Sequence, residues 1–153
     1  MRKTAVLALL LAAPVALTWS VASAPAEAAS KKQGASIELY VNLSAGDSSG
    51  FQVLDASGQL SGTPFELPSG RVLVVTDVFV TPNVQEGLYE GNIDNTGGSE
   101  NRIRFRLDSS LQAMLHLPLS TGLVFATTPQ AFAFATNPGA CVVRLLGTLK
   151  KGS

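Results

Sequence analysis

Three residues spread along the sequence are of the types that form a hydrolytic triad. Residues 46–50 match the G-x-S-x-G pattern with Ser48 at its centre, and Asp77 and the single histidine, His116, follow it. This pattern normally lifts the serine onto a strand-to-helix turn above a parallel sheet. Here a strand-like segment follows the pattern, and the sequence offers no crossover helices. We therefore interpret residues 46–50 as a polar loop, predict a non-enzymatic protein, and keep a small secreted hydrolase as the third hypothesis.

His116 and Cys141 are each the only residue of their type. No spacing supplies His116 with metal-binding or acid–base partners, so we expect a strand histidine that faces solvent or an adjacent strand. Cys141 lies in an apolar, strand-like run with no second cysteine to pair with. Because free cysteine is among the most buried residue types, we expect an inert buried thiol rather than an intermolecular disulfide. No cofactor and no metal site is predicted.

Asp77 is a carboxylate inside the strongly apolar segment 71–81. Regular strand alternation would place its side chain on a face that is otherwise apolar, and an unpaired buried carboxylate is costly. Three solutions stay open at this point: an arginine partner such as Arg104 or Arg144, a β-bulge near Thr76 that turns the side chain outward, or a binding pocket. Asp77 is therefore a candidate ligand-binding residue.

Residues 83–101 combine four glycines with several acidic residues and form the longest stretch without a strand or helix pattern. We predict a long loop there, in which Leu88, Tyr89 and Ile93 either anchor the loop or form a short strand. Long loops in compact domains often carry function. Glu90, Asp94 and Glu100 are candidate ligand-binding residues on this loop. The spacing partly imitates an EF-hand, but Ile103 stands where the required glutamate would be. An irregular calcium-dependent site therefore remains only as part of the alternative function.

Arg102, Arg104 and Arg106 alternate with apolar residues, which predicts a strand with its arginines on the outer face. Guanidinium groups suit carboxylates and phosphates, although an outward charged row also protects a sheet edge from aggregation. The full set of candidate ligand-binding residues is Asp77, Glu90, Asp94, Glu100, Arg102, Arg104 and Arg106.

The segment that organises the rest of the chain is 71–81, which is rich in valine and bounded by turn residues. Because it is apolar on both faces, we predict an interior strand that is covered on both sides. About nine short strands with intervening turn signals predict a two-sheet antiparallel β-sandwich of jelly-roll or Greek-key type, with about 8–9 strands. Residues 111–119 fit a strand, which we favour, but also a short helix capped by Asp108.

The N-terminus has the organisation of a cleavable signal peptide, with Arg2 and Lys3 ahead of a short apolar core and small residues after it. We predict a signal peptide over residues 1–28, cut after Ala28, a flexible lead-in over 29–36, and a single β-sandwich domain over 37–153. The protein is expected to be secreted or periplasmic, with no membrane span in the mature chain.

The charge balance limits the kinds of partner. The chain has 11 basic and 11 acidic residues, so it lacks the basic excess that nucleic-acid binding requires. We predict an exported, non-enzymatic interaction or structural module with an unknown protein or cell-surface partner. The alternative is a small-ligand or calcium-dependent binding protein that uses the 83–101 loop. Homo-oligomerisation is a further expectation, because the apolar strands near the C-terminus leave few polar residues to cover an outer face.

Overall fold

The computed structural model describes residues 34–83, 86–95 and 98–152, with the backbone alone for 98–101. The predicted signal peptide and the lead-in up to residue 33 lie outside these ranges. In the described ranges the chain forms strands and turns, and no helix there is long and apolar enough to cross a membrane. The strands are β1 (Ala35–Leu43), β2 (Ser48–Gly50), β3 (Gln52–Leu54), β4 (Leu60–Pro64), β5 (Arg71–Pro82), β6 (Leu88–Asn95), β7 (Gly98–Asp108), β8 (Leu115–Phe125), β9 (Pro129–Ala133) and β10 (Cys141–Lys151).

These strands form two antiparallel sheets that pack face to face. The larger sheet has six strands in the order β4-β3-β1-β10-β5-β8, and the smaller has four in the order β2-β9-β6-β7. The predicted two-sheet antiparallel β-sandwich is confirmed, and its jelly-roll or Greek-key connectivity stays a prediction. β4, which ends at Pro64, is an edge strand, as the position of a proline in a strand requires.

The core lies between the sheets and is built from alternating residues of the long strands. Its largest fully buried side chains are Tyr89, Phe51, Phe125, Leu39, Leu43, Leu73, Ile93, Leu107 and Leu145. The predicted alternation on β7 is confirmed, because Ile103, Phe105 and Leu107 are buried in the core while the arginines between them are exposed.

β5 is an interior strand between β10 and β8, as predicted, but its alternation is interrupted. Leu73 and Val75 are buried, and so are Val78 and Val80, because Thr76 is an extra residue in the pairing with β10. This β-bulge reverses which residues face the core. It places Asp77 on the outer surface of the sheet, so of the three solutions the bulge is correct. The prediction that β5 is covered on both sides is not confirmed in the described part of the chain, where only two layers are present and the outer side of β5 is half-buried.

Three local predictions need correction. Residues 46–50 are not wholly a polar loop, because Ser48–Gly50 forms β2 and pairs with β9. Residues 83–101 are not one long loop: they contain all of β6 and the start of β7, which pair as a hairpin. The polar residues of this segment misled the interpretation, since they occupy the solvent-facing positions of a half-buried strand. In the stretch 111–119 the predicted strand is confirmed only from Leu115. Residues 109–111 form a turn, in which the Asp108 carboxylate accepts a hydrogen bond from the Ser110 backbone N–H (3.1 Å).

Candidate functional site

Most of the predicted site residues lie on the outer surface of the four-stranded sheet. β6 and β7 pair so that the polar positions of one strand lie opposite the arginines of the other. Glu90 lies opposite Arg106 and Asn92 lies opposite Arg104. We call this surface the arginine face; its members are Glu90, Asn92, Asp94, Arg102, Arg104 and Arg106.

The three arginines of this face differ in their partners. Arg102 Nε donates to Asp94 Oδ1 at 2.7 Å, and Arg106 Nε lies 3.6 Å from Glu90 Oε1. Arg104 has no acidic partner among the side chains that the structure describes, because the residue opposite it is a neutral asparagine. Asn92 Oδ1 is itself buried without a hydrogen-bond partner. The centre of the arginine face therefore carries one uncompensated positive charge.

An aromatic pair at the end of β9 adjoins the arginine face: Phe132 lies in β9, and Phe134 follows the last residue of the strand. Phe132 lies opposite Asn92 in the pairing of β6 with β9, and its side chain is exposed to solvent. Its ring centroid lies 5.7 Å from that of Phe134, with the two rings tilted by 58°. This spacing is typical of a tilted aromatic pair. The exposed Phe132 ring therefore lies beside Asn92, and β6 separates it from the arginines of β7.

A groove opens beside Arg102 and Arg104, at the side of the sandwich where the edge strands β7 and β8 of the two sheets are not joined by pairing. We call it the seam groove. Its volume is about 560 Å3, within the roughly 300–1,000 Å3 of ordinary ligand sites. Its apolar lining consists of Ile103, Leu117, Pro118, Leu119 and Leu123.

The β8 wall of the groove results from an irregularity in the six-stranded sheet. Pro118 pairs with Asp77 and Leu123 pairs with Val75, so the four residues between Pro118 and Leu123 have only Thr76 opposite them. These extra residues of β8 therefore cannot all pair with β5. Gly122 is one of them, and its φ of +71° lies in the left-handed region that favours glycine.

Asp77 and His116 meet on the other sheet. His116 Nε2 lies 2.8 Å from Asp77 Oδ1 across the β5–β8 pairing, and the imidazole stacks on Phe79 with a centroid distance of 4.4 Å. The hydrogen bond from His116, followed by one from Thr76, holds the pKa of Asp77 below its ordinary value. The predicted arginine partners of Asp77 are therefore wrong. Arg144 instead donates from Nε to Glu38 Oε1 at 2.8 Å.

The remaining predicted residues are separate from these clusters. Ser48 lies in β2 of the four-stranded sheet, whereas Asp77 and His116 lie in the six-stranded sheet, so the three do not form a triad. The side chain of Glu100 is outside the described residues. Cys141 is free and fully buried, and burial raises its pKa to about 11. Among the side chains that the structure describes, no three His, Cys, Asp or Glu residues are grouped so that they could hold a metal ion.

Sequence reasoning found the arginine row and its acidic neighbours but missed the seam groove. The sequence contains one signal for the irregular β8 wall. It is the turn-like Ser-Thr-Gly at residues 120–122, which interrupts an otherwise apolar alternation. The uncompensated charge of Arg104 depends on which residue faces it, and this requires the register of β6 against β7.

Comparisons of the chain with protein-family models, with curated proteins and with solved structures gave no match. The function must therefore be argued from the geometry alone.

Proposed function

We propose that this protein is an exported, non-enzymatic interaction module that binds a ligand through the seam groove and Arg104. The observation that carries the proposal is Arg104 itself, a guanidinium without an acidic partner beside an open apolar groove. Arg102 and Arg106 already face carboxylates on β6, so Arg104 is the group on this face that is free to bind an anion.

The chemistry of the groove specifies the ligand class. A guanidinium forms paired, charge-assisted hydrogen bonds with a carboxylate or phosphate. The leucines of β8 and Ile103 of β7 provide an apolar wall next to it. We therefore propose a ligand that joins an anionic group to an apolar portion, with the apolar portion in the groove. The carboxylates of β6 do not support a calcium-dependent site, because Asp94 and Glu90 both face arginines.

Two further observations support a non-enzymatic role and export. Asp77 and His116 lie on the six-stranded sheet, and His116 Nε2 is hydrogen-bonded to the Asp77 carboxylate. Ser48, the candidate nucleophile, lies on the other sheet. Export rests on the signal-peptide pattern of residues 1–28. Mass spectrometry of the protein recovered outside the cytoplasm is expected to show an N-terminus at Ala29, and an uncleaved N-terminus there would contradict this part of the proposal.

The binding proposal is tested with octanoate, its uncharged counterpart 1-octanol, and inorganic phosphate as probes. We expect octanoate to raise the melting temperature by mass action and to shift the NMR signals of residues 117–123. Arg104→Gln should weaken octanoate binding by about tenfold or more, as expected when a charge-assisted hydrogen bond is lost.

Arg106→Gln is the matched control, because Arg106 faces Glu90 and does not line the groove. It should leave octanoate affinity unchanged. Equal binding of octanoate and 1-octanol, an equal loss in both variants, or no effect of octanoate and phosphate on the melting temperature would each refute the proposal.

A further inference from the structure

β7 is the outermost strand of the four-stranded sheet, and in the described part of the chain it pairs with β6 alone. It runs over 11 residues, contains no proline, and pairs with β6 without a break from Ile103 to Asp108. We call the side of β7 that faces away from β6 the free edge. A long, regular edge strand is a template for pairing with another extended segment.

The contacts of Glu90 establish which backbone groups of β7 point to the free edge. The Glu90 N–H donates to Asn137 Oδ1 at 2.9 Å, and the Glu90 carbonyl accepts from the backbone N–H of the residue that follows β9, at 3.0 Å. Both bonds lie on the β9 side of β6, so Glu90 makes no backbone bond with Arg106, which lies opposite it. Opposite residues of an antiparallel pair exchange both bonds or neither. The N–H and C=O of Arg106 therefore point to the free edge, and by the alternation of the strand so do those of Arg104 and Arg102.

The hydrophobic core is incomplete beside the free edge. Leu117, Leu119 and Leu123 of β8 pack against the core but are only half-buried, and they line the seam groove. The core-facing Val75 and Val78 of the adjacent strand β5 are, by contrast, fully buried. Burial of apolar surface is favourable in rough proportion to the area removed from water. A segment seated in the groove along the free edge would therefore gain stability by covering the three leucines.

The two sides of such a segment would meet different chemistry. Side chains alternate between the two faces of a strand, so one set would lie next to the side chains of Arg102, Arg104 and Arg106 on the outer surface. The other set would point to the groove, next to Ile103 and the leucines of β8. Opposite charges in directly opposite positions stabilise a pair of strands, and Arg104 has no acidic partner among the described side chains. The matching segment therefore alternates acidic and apolar residues.

Charge argues against two occupants that this chain itself could supply. If β7 of a second copy paired with β7 across a two-fold axis at Arg104, the two Arg104 side chains would lie opposite each other, and Arg102 would lie opposite Arg106. Residues 29–33, ahead of the described ranges, carry two lysines and no acidic residue. Either occupant would bring positive charge to the arginines, which is unfavourable.

We propose that the free edge of β7 binds an extended segment of a partner protein as an added antiparallel strand. Acidic residues of the segment lie opposite the arginines, and its apolar residues fill the seam groove. The antiparallel orientation is the slightly more stable of the two per residue. This inference rests on the proposed binding at Arg104 and the seam groove. It identifies the anionic group of the ligand as an acidic side chain, and the apolar portion as the side chains next to it in sequence.

The test uses a blocked peptide of alternating glutamate and valine, long enough to span Arg102 to Arg106, and the same peptide with glutamine in place of glutamate. We expect the glutamate peptide to bind at least about tenfold more tightly in isothermal titration calorimetry. Arg104→Gln should remove most of this difference. Arg71→Gln is the matched control, since it removes the same charge from an exposed position on the other sheet. It should leave the affinity for the glutamate peptide unchanged.

Hydrogen exchange and N-methylated peptides test the backbone pairing. The bound peptide should slow amide exchange at Arg104 and Arg106 by about tenfold or more. It should change exchange little at Ile103 and Leu107, whose N–H groups point to β6 by the same alternation. In the antiparallel pair the glutamates direct their N–H groups to β7, so N-methylation at the glutamates should abolish binding and N-methylation at the valines should not.

The outcomes separate this inference from the proposed function. If octanoate binds and the glutamate peptide does not, the proposed function stands and the added strand is refuted. If neither binds, both are refuted. Equal binding of the glutamate and glutamine peptides, equal effects of the two methylation patterns, or protection along β4 instead of β7 would also overturn the inference.

Discussion

His116 Nε2 and Asp77 Oδ1 lie 2.8 Å apart across β5 and β8, and they meet because Thr76 is an extra residue in β5. Without the bulge, Asp77 would point into the core. With it, the carboxylate reaches the outer surface, where His116 is stacked on Phe79 with the ring planes only 4° apart. A local irregularity of one strand thus determines which ionisable groups are neighbours.

The Asp77–His116 hydrogen bond should make stability depend on pH in the acid range. The pKa of Asp77 is lowered in the folded protein, chiefly by His116, from an ordinary value near 3.8. A carboxyl group whose folded pKa is depressed stabilises the fold fully above its unfolded pKa, and this contribution is lost as the pH falls through the folded pKa. We therefore expect the stability difference between wild type and Asp77→Asn to shrink steadily below pH 3.8, measured by urea unfolding.

His116→Ala provides the matched variant for this prediction. Removing the imidazole removes the largest cause of the shift, so an NMR titration should find the pKa of Asp77 raised relative to wild type. An unchanged Asp77 pKa in this variant would show that Thr76, and not His116, controls the titration.

Gly122→Ala should destabilise the protein by about 1–3 kcal/mol, because a non-glycine residue is strained at a φ of +71°. An added Cβ would also lie 2.6 Å from Val74 Cγ1. Gly58→Ala is the control, since Gly58 has a φ of +82° but nothing within 4 Å of the added atom. Urea unfolding should show a larger loss for Gly122→Ala, and Val74→Ala should relieve part of it. Equal losses at both glycines would contradict a role for the Val74 contact.

The strands that follow simple alternation were predictable from the sequence. Arg102 to Leu107 alternates polar and apolar residues, and β7 buries the apolar ones as expected. The interior position of β5 followed from its apolar, β-branched composition. These features depend on local pattern, and a two-sheet sandwich is the simplest way to bury such strands.

The contacts between distant residues were not predictable in the same way. A carboxylate in an apolar strand can be accommodated by pairing, by a bulge or by a pocket, and the sequence alone does not choose among them. His116 lies 39 residues from Asp77, so their contact depends on the order and register of β5 and β8. The β6–β7 hairpin was predicted as a loop because glycines and acidic residues are depleted in strands on average.

Cys141 should behave as an inert thiol in the native protein. It is fully buried, and burial raises its pKa to about 11, so the reactive thiolate is scarce at pH 8. We expect iodoacetamide to modify Cys141 only as fast as the protein opens, and rapidly in concentrated urea. Mass spectrometry of native samples over time is the measurement. Rapid alkylation of the native protein, or a dimer that dissociates on adding reductant, would contradict a buried free thiol.

Gly91→Ala should be among the most destabilising single substitutions, at about 3 kcal/mol. An added Cβ at this buried position in β6 would overlap the Phe105 ring and the Phe132 carbonyl oxygen. The ring can move, but the carbonyl belongs to the backbone of β9 and can shift only by disturbing the β6–β9 pairing. Phe105→Leu should therefore rescue Gly91→Ala in part and not completely, as measured by thermal unfolding of the single and double variants. Gly50→Ala, whose added Cβ would make an ordinary 3.6 Å contact with Pro64, serves as the control and should change stability little. Full rescue by Phe105→Leu would show that the ring alone excludes a side chain at residue 91.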